Sequence, residues 1–347
     1  MANVSIIELR KISQSVLMAC GVSDSHSRII TDSIVYAHCR NKGTHGITRL
    51  PIYVQKINNG LLNPETPITV IKDTPVISVI DAGNGFGQVA AFNAMKMSIE
   101  KAKKLGVGIT GVRSSNNFAT AGFISELAVK YNLIGIVLGN SGPAIAPTGG
   151  KFPLLGTNPL AIAFPGTDSS KPISLDMATS VAARGKIRLA KKNGEKIPFG
   201  WALNSDGKPT NDPDEAISGT MVPIGEAKGY GLSLAIDILA GMLTGAAFAG
   251  NVKPLGCMTD FSNYGHLLVA LNPSFFLTKE EYRLKIDYLI RKVKNTGDKN
   301  MVFLPGERSM IYASEHIDSI EISDAQFNDS LNLLNNLQIK IRKGNEK

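Results

Sequence analysis

Apolar residues recur at helical spacing over the first sixty positions of the chain. This periodicity, with its capping residues, predicts helices over three segments: Ser5 to Cys20, a cap at Ser23 or Asp24 to about Asn41, and an N-cap at Thr48 to Gly60. A Pro-rich stretch at 63–67 then reads as a linker into a segment of different composition.

From about residue 68 to 300, short β-branched runs alternate with helical patterns. Strands are predicted at 76–80, 107–112, 133–138, 160–164 and 267–271, with helices at 92–105 and 120–131. Some connections are too short for crossover helices, so the sheet is expected to be mixed. The fold class is therefore α/β.

Two capping boxes begin the last helices, Thr278 with Glu281 and Ser323 with Gln326. The final helix then carries apolar residues at helical spacing: Phe327, Leu331, Leu334 and Ile341. Because this stripe can pack on the N-terminal helices, we predict a discontinuous helical domain (1–67 plus 305–347) around an α/β domain (68–304).

The segment Gly229 to Gly250 has the length of a membrane span and a single charge, Asp237. An Asp in mid-helix is costly in lipid, and the segment is rich in glycine. We therefore predict a fully buried helix and no membrane partner.

Composition and net charge indicate which kinds of partner and cellular location to expect. The chain has 347 residues, 43% apolar and 19% charged, with a net charge of +8, which favours attraction for small anions. Its basic stretches, 184–196 and 340–347, lack interleaved aromatics, so nucleic acid is not an expected partner. Three cysteines without C-x-x-C spacing and an N-terminus without a signal-peptide layout favour a cytoplasmic protein with no metal site.

One G-x-G-x-x-G occurs, at Gly106 to Gly111, but in the wrong context. A dinucleotide fingerprint follows a strand and opens a helix, whereas these glycines follow a helix and lie in a strand. Gly106 is interpreted as a helix C-cap and Gly108 as a strand glycine, so no Rossmann fold is expected.

The segment Thr44 to Arg49 is the first candidate for chemistry. Arg49 can grip a carboxylate with two hydrogen bonds, and the predicted helix N-terminus favours an anion. Because a histidine side chain ordinarily titrates near neutral pH, His45 is expected to be able to move a proton. A capped turn with a surface arginine is the structural alternative.

Small polar residues also follow or precede strands at Asn117, Ser141 and Asn158, where α/β proteins bind ligands but where ordinary turns use the same residues. Asp176 ends a strand and can accept from a ribose hydroxyl, orient His45 or cap a helix. Lys228 lies in the first turn of the predicted buried helix. Its ammonium can either bind a phosphate group or extend into solvent.

Read together, these segments resemble a known family, the malate/L-lactate dehydrogenases of the non-Rossmann type, which include ureidoglycolate, sulfolactate and diketogulonate enzymes. The resemblance spans nearly the whole chain and rests on these motifs in order: Thr44 to Pro51, Gly156 to Ala161, Leu175 to Ser180, Ala183 to Ile187, Thr210 to Pro213, Lys228 to Leu232 and Leu304 to Glu307.

The resemblance implies a homodimer with its active site near the subunit interface, and NAD or NADP held by an unusual mixed-sheet domain. It implies that His45 donates and accepts the proton and that Arg49 anchors the carboxylate. Thr44 replaces the family's common serine. The implied cofactor contacts are Ser141, Ile173, Leu175, Asp176, Met177, Ala178, Thr179, Lys228, Gly306, Glu307 and Arg308.

One departure from the family pattern is Asn117, where many members carry a histidine. Asn can hydrogen-bond a substrate oxygen but cannot titrate. Either His45 does the proton work alone, or the chemistry is weakened or altered.

The resulting hypothesis is an oxidoreductase that moves a hydride between NAD(P) and a small 2-hydroxy or 2-oxo acid. His45, Arg49 and Asn117 are its catalytic candidates, and Thr44, Arg49 and Asn158 its substrate-binding candidates. The alternatives are a ureidoglycolate or cyclic-imine acid oxidoreductase and a non-catalytic nucleotide-binding relative. The choice between NAD and NADP stays open. The basic stretch 184–196 can bind the 2′-phosphate of NADP, but a solvated loop is the favoured interpretation.

Overall fold

The structure, a computed structural model, describes residues 2–167, 170–298 and 301–345, with side chains to residue 337. The strands are β1 Ala2–Ser5, β2 Thr69–Asp73, β3 Ile77–Asp81, β4 Val107–Ser115, β5 Ile134–Gly139, β6 Leu160–Phe164, β7 Ile173–Met177, β8 Ala202–Leu203, β9 Pro209–Thr210, β10 Thr220–Met221, β11 Tyr264–Leu271 and β12 Ser319–Ile322. The helices are α1 Ile6–Ala19, α2 Asp24–Cys39, α3 Leu50–Asn58, α4 Gly87–Leu105, α5 Ala121–Val129, α6 Arg184–Asn193, α7 Pro213–Ser218, α8 Ala227–Ile236, α9 Lys279–Lys294, α10 Glu307–Glu315 and α11 Asp324–Asn345.

The main sheet has seven strands in the order β2-β3-β4-β11-β5-β6-β7. Only β3 and β4 are parallel, and every other neighbouring pair in this sheet is antiparallel. The expected mixed, non-Rossmann sheet is therefore confirmed. Helices α4 and α5 bury Met95, Ile99 and Ile124 in a core that includes Ile80 and Leu268 of the sheet.

A helical layer forms from α1, α2, α3 and α11, with β1 paired to β12. Ser23 caps α2 as predicted, because its hydroxyl accepts a hydrogen bond from the His26 amide. Ser5, where the first helix was predicted to begin, is the N-cap of α1, and its hydroxyl accepts from the Glu8 amide. Phe327 and Leu331 of α11 pack on the core of α1 to α3. The two ends of the chain thus share one core. The side chain of Ile341 lies outside the described residues, and the domain boundaries remain a prediction.

Two predictions of local structure are wrong: one buried helix over Gly229 to Gly250, and a solvated loop at 184–196. The segment Gly229 to Gly250 is not one buried helix, because α8 gives way to a π-helical turn, Asp237–Gly241, and a 3₁₀ turn, Met242–Thr244. Its buried charge is satisfied, since Asp237 accepts hydrogen bonds from Asn140 (3.3 Å) and the Ala249 amide (2.8 Å). An apolar set on its outer side stays exposed, here named the α8 face: Leu234, Ile238, Leu239, Met242 and Leu243.

The basic stretch at 184–196 is also not a solvated loop. Most of it forms α6, which buries Ile187 and Ala190 against the small sheet β10-β8-β9. The sequence did not predict this helix, because only two of its residues face the core and the rest of the stretch is mostly polar. In the described chain, no helix combines the length and apolarity that crossing a bilayer requires.

Gly106 and Gly108 take the expected roles. Gly106 ends α4 with a φ of 84°, in the left-handed region. At Gly108 in β4, an added β-carbon would lie 2.1 Å from the Ser98 carbonyl oxygen of α4. The helix therefore packs directly on the strand backbone.

We expect Gly108→Ala to destabilise the fold by about 1–3 kcal/mol, because the methyl group forces α4 away from β4. The control is Gly256→Ala, where no atom lies within 4 Å of the added carbon. Urea unfolding of both variants measures the difference. Equal free energies of unfolding for the two variants would contradict the close packing of α4 on β4.

Candidate functional site

The site begins with two 3₁₀ turns, Gly43–His45 and Ile47–Arg49, between α2 and α3. His38 of α2 holds them, because its buried Nε2 accepts a hydrogen bond of 3.0 Å from the Ile47 amide. Burial lowers the pKa of His38 to about 4, so the ring is a neutral acceptor at pH 7. At Gly46 a β-carbon would lie 2.2 Å from that nitrogen, so the turn depends on glycine.

Thr48 is not the helix N-cap that the sequence predicts. The residue before α3 is Arg49 in a helical conformation, and no side chain caps the helix. The preceding turn already uses the Arg49 amide, which donates to the Gly46 carbonyl at 3.0 Å. Fewer free amides are therefore available for an anion, and positive charge in this turn comes mainly from side chains.

Thr44 connects the two principal candidates. Its hydroxyl lies 3.1 Å from Nδ1 of His45, and its carbonyl accepts a 2.9 Å hydrogen bond from Nε of Arg49. These contacts leave Nε2 of the imidazole and both terminal guanidinium nitrogens without a partner in the described chain. The structure thus brings Thr44, His45 and Arg49 together. An imidazole that can carry a proton lies beside a guanidinium that can bind an anion.

The electrostatics of this turn are cationic. Burial, with Arg49 and Lys42 nearby, lowers the pKa of His45 to about 3. Burial also lowers the pKa of Arg49, an effect that Arg188 reinforces and that Tyr53 and Tyr264 oppose. No carboxylate pairs with His45 or Arg49 in the described chain. The imidazole is therefore neutral at pH 7, and an arriving anion is favoured.

Beside this turn lies a cavity of about 710 Å³. Four predicted cofactor residues line it: Leu175, Asp176, Gly306 and Arg308. Asp176 does not cap a helix, because it lies within β7 and forms an ion pair with Lys42, three residues before His45. The cavity and the Thr44 turn are therefore linked through Lys42.

Glu126 of α5 organises the cavity wall. Its carboxylate accepts hydrogen bonds from Tyr36 (2.8 Å), Arg40 (2.6 Å) and Ser174 (2.7 Å). Burial and the Glu126 charge raise the pKa of Tyr36 above its ordinary value. Because Arg40 also donates to Ser309 at 3.3 Å, this network joins α2, α5, β7 and α10.

Other predicted cofactor residues lie along the same strand or close to its end. Ile173 and Met177 begin and end β7, followed by Ala178 and the buried Thr179. Lys228 is exposed in the first turn of α8, and the neighbouring Gly229 packs on the Thr179 carbonyl.

The carboxylate of Glu307 already has partners within the protein. It forms an ion pair with Lys294 and accepts from the Leu304 amide at 2.8 Å. Its neighbour Arg308 stacks 4.5 Å over the Phe303 ring on the cavity wall.

Ser141 and Asn158 form a separate pair. Asn158 is fully buried, accepts from the Ser141 amide at 3.0 Å and donates to the Ser233 carbonyl at 2.9 Å. Asn117 is partly buried and accepts from the Ala119 amide at 3.0 Å. Its neighbour Asn116 is held by the buried Lys56, at 3.3 Å.

Sequence reasoning missed Tyr36, Arg40, Lys42 and Glu126. Tyr36 lies in the last turn of α2 and Arg40 is its C-cap residue, so their four-residue spacing indicates a shared face, but nothing local points to Glu126. The cavity combines carboxylate, cation and apolar walls, and its volume is typical of small-molecule sites, which span roughly 300–1,000 Å³. These residues fit a nicotinamide dinucleotide.

Comparison with known proteins gives a consistent result. The family profile described as Malate/L-lactate dehydrogenase matches residues 4–329. The chain is 41% identical over 305 residues to the malate/(S)-sulfolactate dehydrogenase of Methanothermus fervidus, covering 88% of this chain and 89% of that protein. It is 31% identical over 336 residues to the ureidoglycolate dehydrogenase (NAD(+)) of Escherichia coli strain K12, covering 93% and 95%.

Among solved structures, the sulfolactate dehydrogenase of Methanocaldococcus jannaschii superimposes with a TM-score of 0.90 at 39% identity. The match covers 97% of this chain and 98% of that one. With a family match over nearly its whole length and the same fold, the chain belongs to the malate/L-lactate dehydrogenase family.

Proposed function

We propose that this chain catalyses hydride transfer between NAD(P) and C2 of a small 2-hydroxy or 2-oxo acid. The observation that carries the proposal is the Thr44 turn, in which a neutral imidazole and a guanidinium fork share one backbone anchor. The adjoining cavity, with Asp176 and Arg308 in its wall, supports a dinucleotide as the second reactant.

Arg49 binds the substrate carboxylate through its two terminal nitrogens, since Nε is held by the Thr44 carbonyl. His45 takes the hydroxyl proton at Nε2 during oxidation and returns it during reduction. Its lowered pKa keeps the ring free to accept that proton. The bound carboxylate offsets the Arg49 charge and stabilises the imidazolium that forms.

Leu175, Asp176, Gly306 and Arg308 would hold NAD(P), with Lys42 fixing the Asp176 carboxylate. When bound, NAD(P) supplies or accepts the hydride. Ile173, Met177, Ala178, Thr179 and Lys228 extend the same wall towards α8. Glu307 acts through its ion pair with Lys294 and positions the loop before α10.

Asn117 donates from Nδ2 to a substrate oxygen, since its Oδ1 already accepts from Ala119. Asn158 is better assigned as a positioning residue, because its buried amide bridges Ser141 and Ser233. Ser141 keeps its hydroxyl for the cofactor. His45 is then the only titrating group assigned to proton transfer.

The α8 face supports a homodimer. Leu234, Ile238 and Met242 follow at four-residue intervals, and Leu243 beside them is 64% exposed. Contiguous apolar surface of this kind marks an interaction site. The face continues from Lys228, so pairing two copies across it would bring the interface to the active site. The chain forms no disulfide in its described part, which fits the cytoplasmic location we propose.

The non-catalytic alternative rests on Asn117 alone. A panel of 2-oxo acids, ureidoglycolate and a cyclic imine acid, followed at the NADH absorbance band, separates it from catalysis. Cofactor binding without turnover of any compound in either direction would replace the enzyme proposal with a nucleotide-binding role.

We expect His45→Ala to lower kcat by about 10²- to 10⁴-fold, because no other group carries the proton. Asn117→Ala, which removes one hydrogen bond, should cost only about tenfold. Steady-state kinetics with saturating cofactor compares the two. If His45→Ala turned over as fast as the unchanged protein, His45 would have no part in the mechanism.

The pH dependence follows from the lowered pKa of His45. Reduction needs the protonated ring, which is the minor form above its pKa of about 3. We therefore expect kcat/KM for the 2-oxo acid to fall about tenfold per pH unit between about pH 5 and 8. Oxidation uses the neutral ring and should lose no activity from His45 there. A plateau of the reduction rate below pH 6.5 would argue for an unshifted imidazole.

For the dimer, we expect Leu243→Glu to convert it to a monomer in sedimentation velocity, because a charge on the α8 face must be desolvated on pairing. Leu289→Glu is the matched control, since Leu289 is 51% exposed on α9. Loss of the dimer in the α9 variant alone would move the interface there. An unchanged dimer in both variants would exclude the α8 face.

A further inference from the structure

One face of α6 runs alongside the Thr44 turn. A β-carbon on Gly185 would lie 3.5 Å from Cβ of Thr44. Two turns further along, Lys192 lines a cleft of about 220 Å³ with Thr48 and Pro51. Residues spaced by three and seven share a helix face, so Arg188 lies between these two contacts and faces the same turn.

Arg188 is exposed and has no hydrogen-bond or ion-pair partner in the described chain. Arg184, one turn earlier, is committed to the carbonyls of Pro143 (2.9 Å) and Ile217 (3.2 Å). The only acid lining the cleft beside Lys192 is Asp329.

Arg49, Arg184 and Arg188 therefore form a group of like charges without a described carboxylate. Burial, followed by the charge of Arg188, lowers the pKa of Arg184, and the same charge contributes to the lowered pKa of Arg49. Like charges held together in this way are relieved by an anion.

We propose that Arg188 binds a second anionic group of the substrate, so that the preferred substrates are dianionic 2-hydroxy acids. The inference rests on the proposed function. Arg49 takes the carboxylate next to the hydroxyl-bearing carbon, and Arg188 takes a carboxylate or sulfonate at the far end of a short carbon chain. The guanidinium fork suits either group, since both present two oxygens in one plane of approach.

The cofactor is the competing ligand for Arg188. The 710 Å³ cavity is lined from α2, β7, the loop before α10 and α10 itself, and α6 contributes no residue to it. Gly185 of α6 instead meets Thr44, the residue that carries both His45 and Arg49. This placement favours a substrate role over a phosphate contact.

The test uses inert acids that lack the hydroxyl group: succinate, 3-sulfopropionate and propionate. Calorimetry measures their affinity for the full-length protein, for Arg188→Gln and for the control Lys186→Gln. Lys186 lies on the same helix, but its ammonium sits over the Trp201 ring, 5.8 Å from the ring centre. Both variants remove one positive charge.

We expect Arg188→Gln to weaken binding of the dianions about ten- to hundredfold, as loss of one charged hydrogen-bond partner does, and to leave propionate unchanged. Lys186→Gln should change neither. The dianion that binds more tightly identifies carboxylate or sulfonate as the preferred group. Equal loss for propionate, or equal loss in Lys186→Gln, would reduce the effect to general charge and overturn the proposal.

Kinetics separates this proposal from the function on which it rests. In Arg188→Gln, kcat/KM should fall for malate or sulfolactate and hold for lactate, with KM for NADH and NADPH unchanged. A raised KM for NADPH alone would assign Arg188 to the cofactor instead. A third outcome is dianion binding that depends on Arg188 without turnover of any 2-hydroxy acid. It would contradict the oxidoreductase proposal but support the anion site at Arg188.

Discussion

The hydrogen bond from the Ile47 amide to His38 holds the turn that carries the site chemistry. It requires a neutral imidazole acceptor, which burial provides, and a glycine at position 46, where no side chain fits. With this bond in place, Thr44 can bind both His45 and Arg49. One buried histidine of α2 thus positions two groups to which it is not itself bonded.

Charge is distributed unequally between the two parts of the site. The Thr44 turn concentrates cations with no described acid, which lowers the pKa of His45 and favours an incoming anion. In the cavity wall two of the cations are paired with acids, because Glu126 and Asp176 form ion pairs with Arg40 and Lys42. In the proposed function, a negatively charged acid and a dinucleotide therefore bind in different electrostatic surroundings.

The mixed sheet explains why the proposed dinucleotide site does not lie in a crevice formed by the carboxyl ends of several strands. In parallel α/β sheets the carboxyl ends of strands converge, and ligands bind in the crevice there. Here only β3 and β4 are parallel, so strand ends alternate between the two edges. The cavity forms instead where α2 and α10 meet the last strand, β7, and the Glu126 network fastens these elements together.

Local signals in the sequence determined the cap of α2, the Thr278–Glu281 capping box of α9, the glycines at 106 and 108, the mixed sheet and the proximity of His45 to Arg49. These depend on spacing and on contacts within a few residues. The position of β11 between β4 and β5, the exposed α8 face and the partners of Glu126 were decided only by tertiary packing. Glu126 meets Arg40 across 86 residues of chain, and no periodicity along a sequence records a contact of that range. The same limit hid Arg188, whose significance comes from a helix that packs on a turn about 140 residues earlier in the chain.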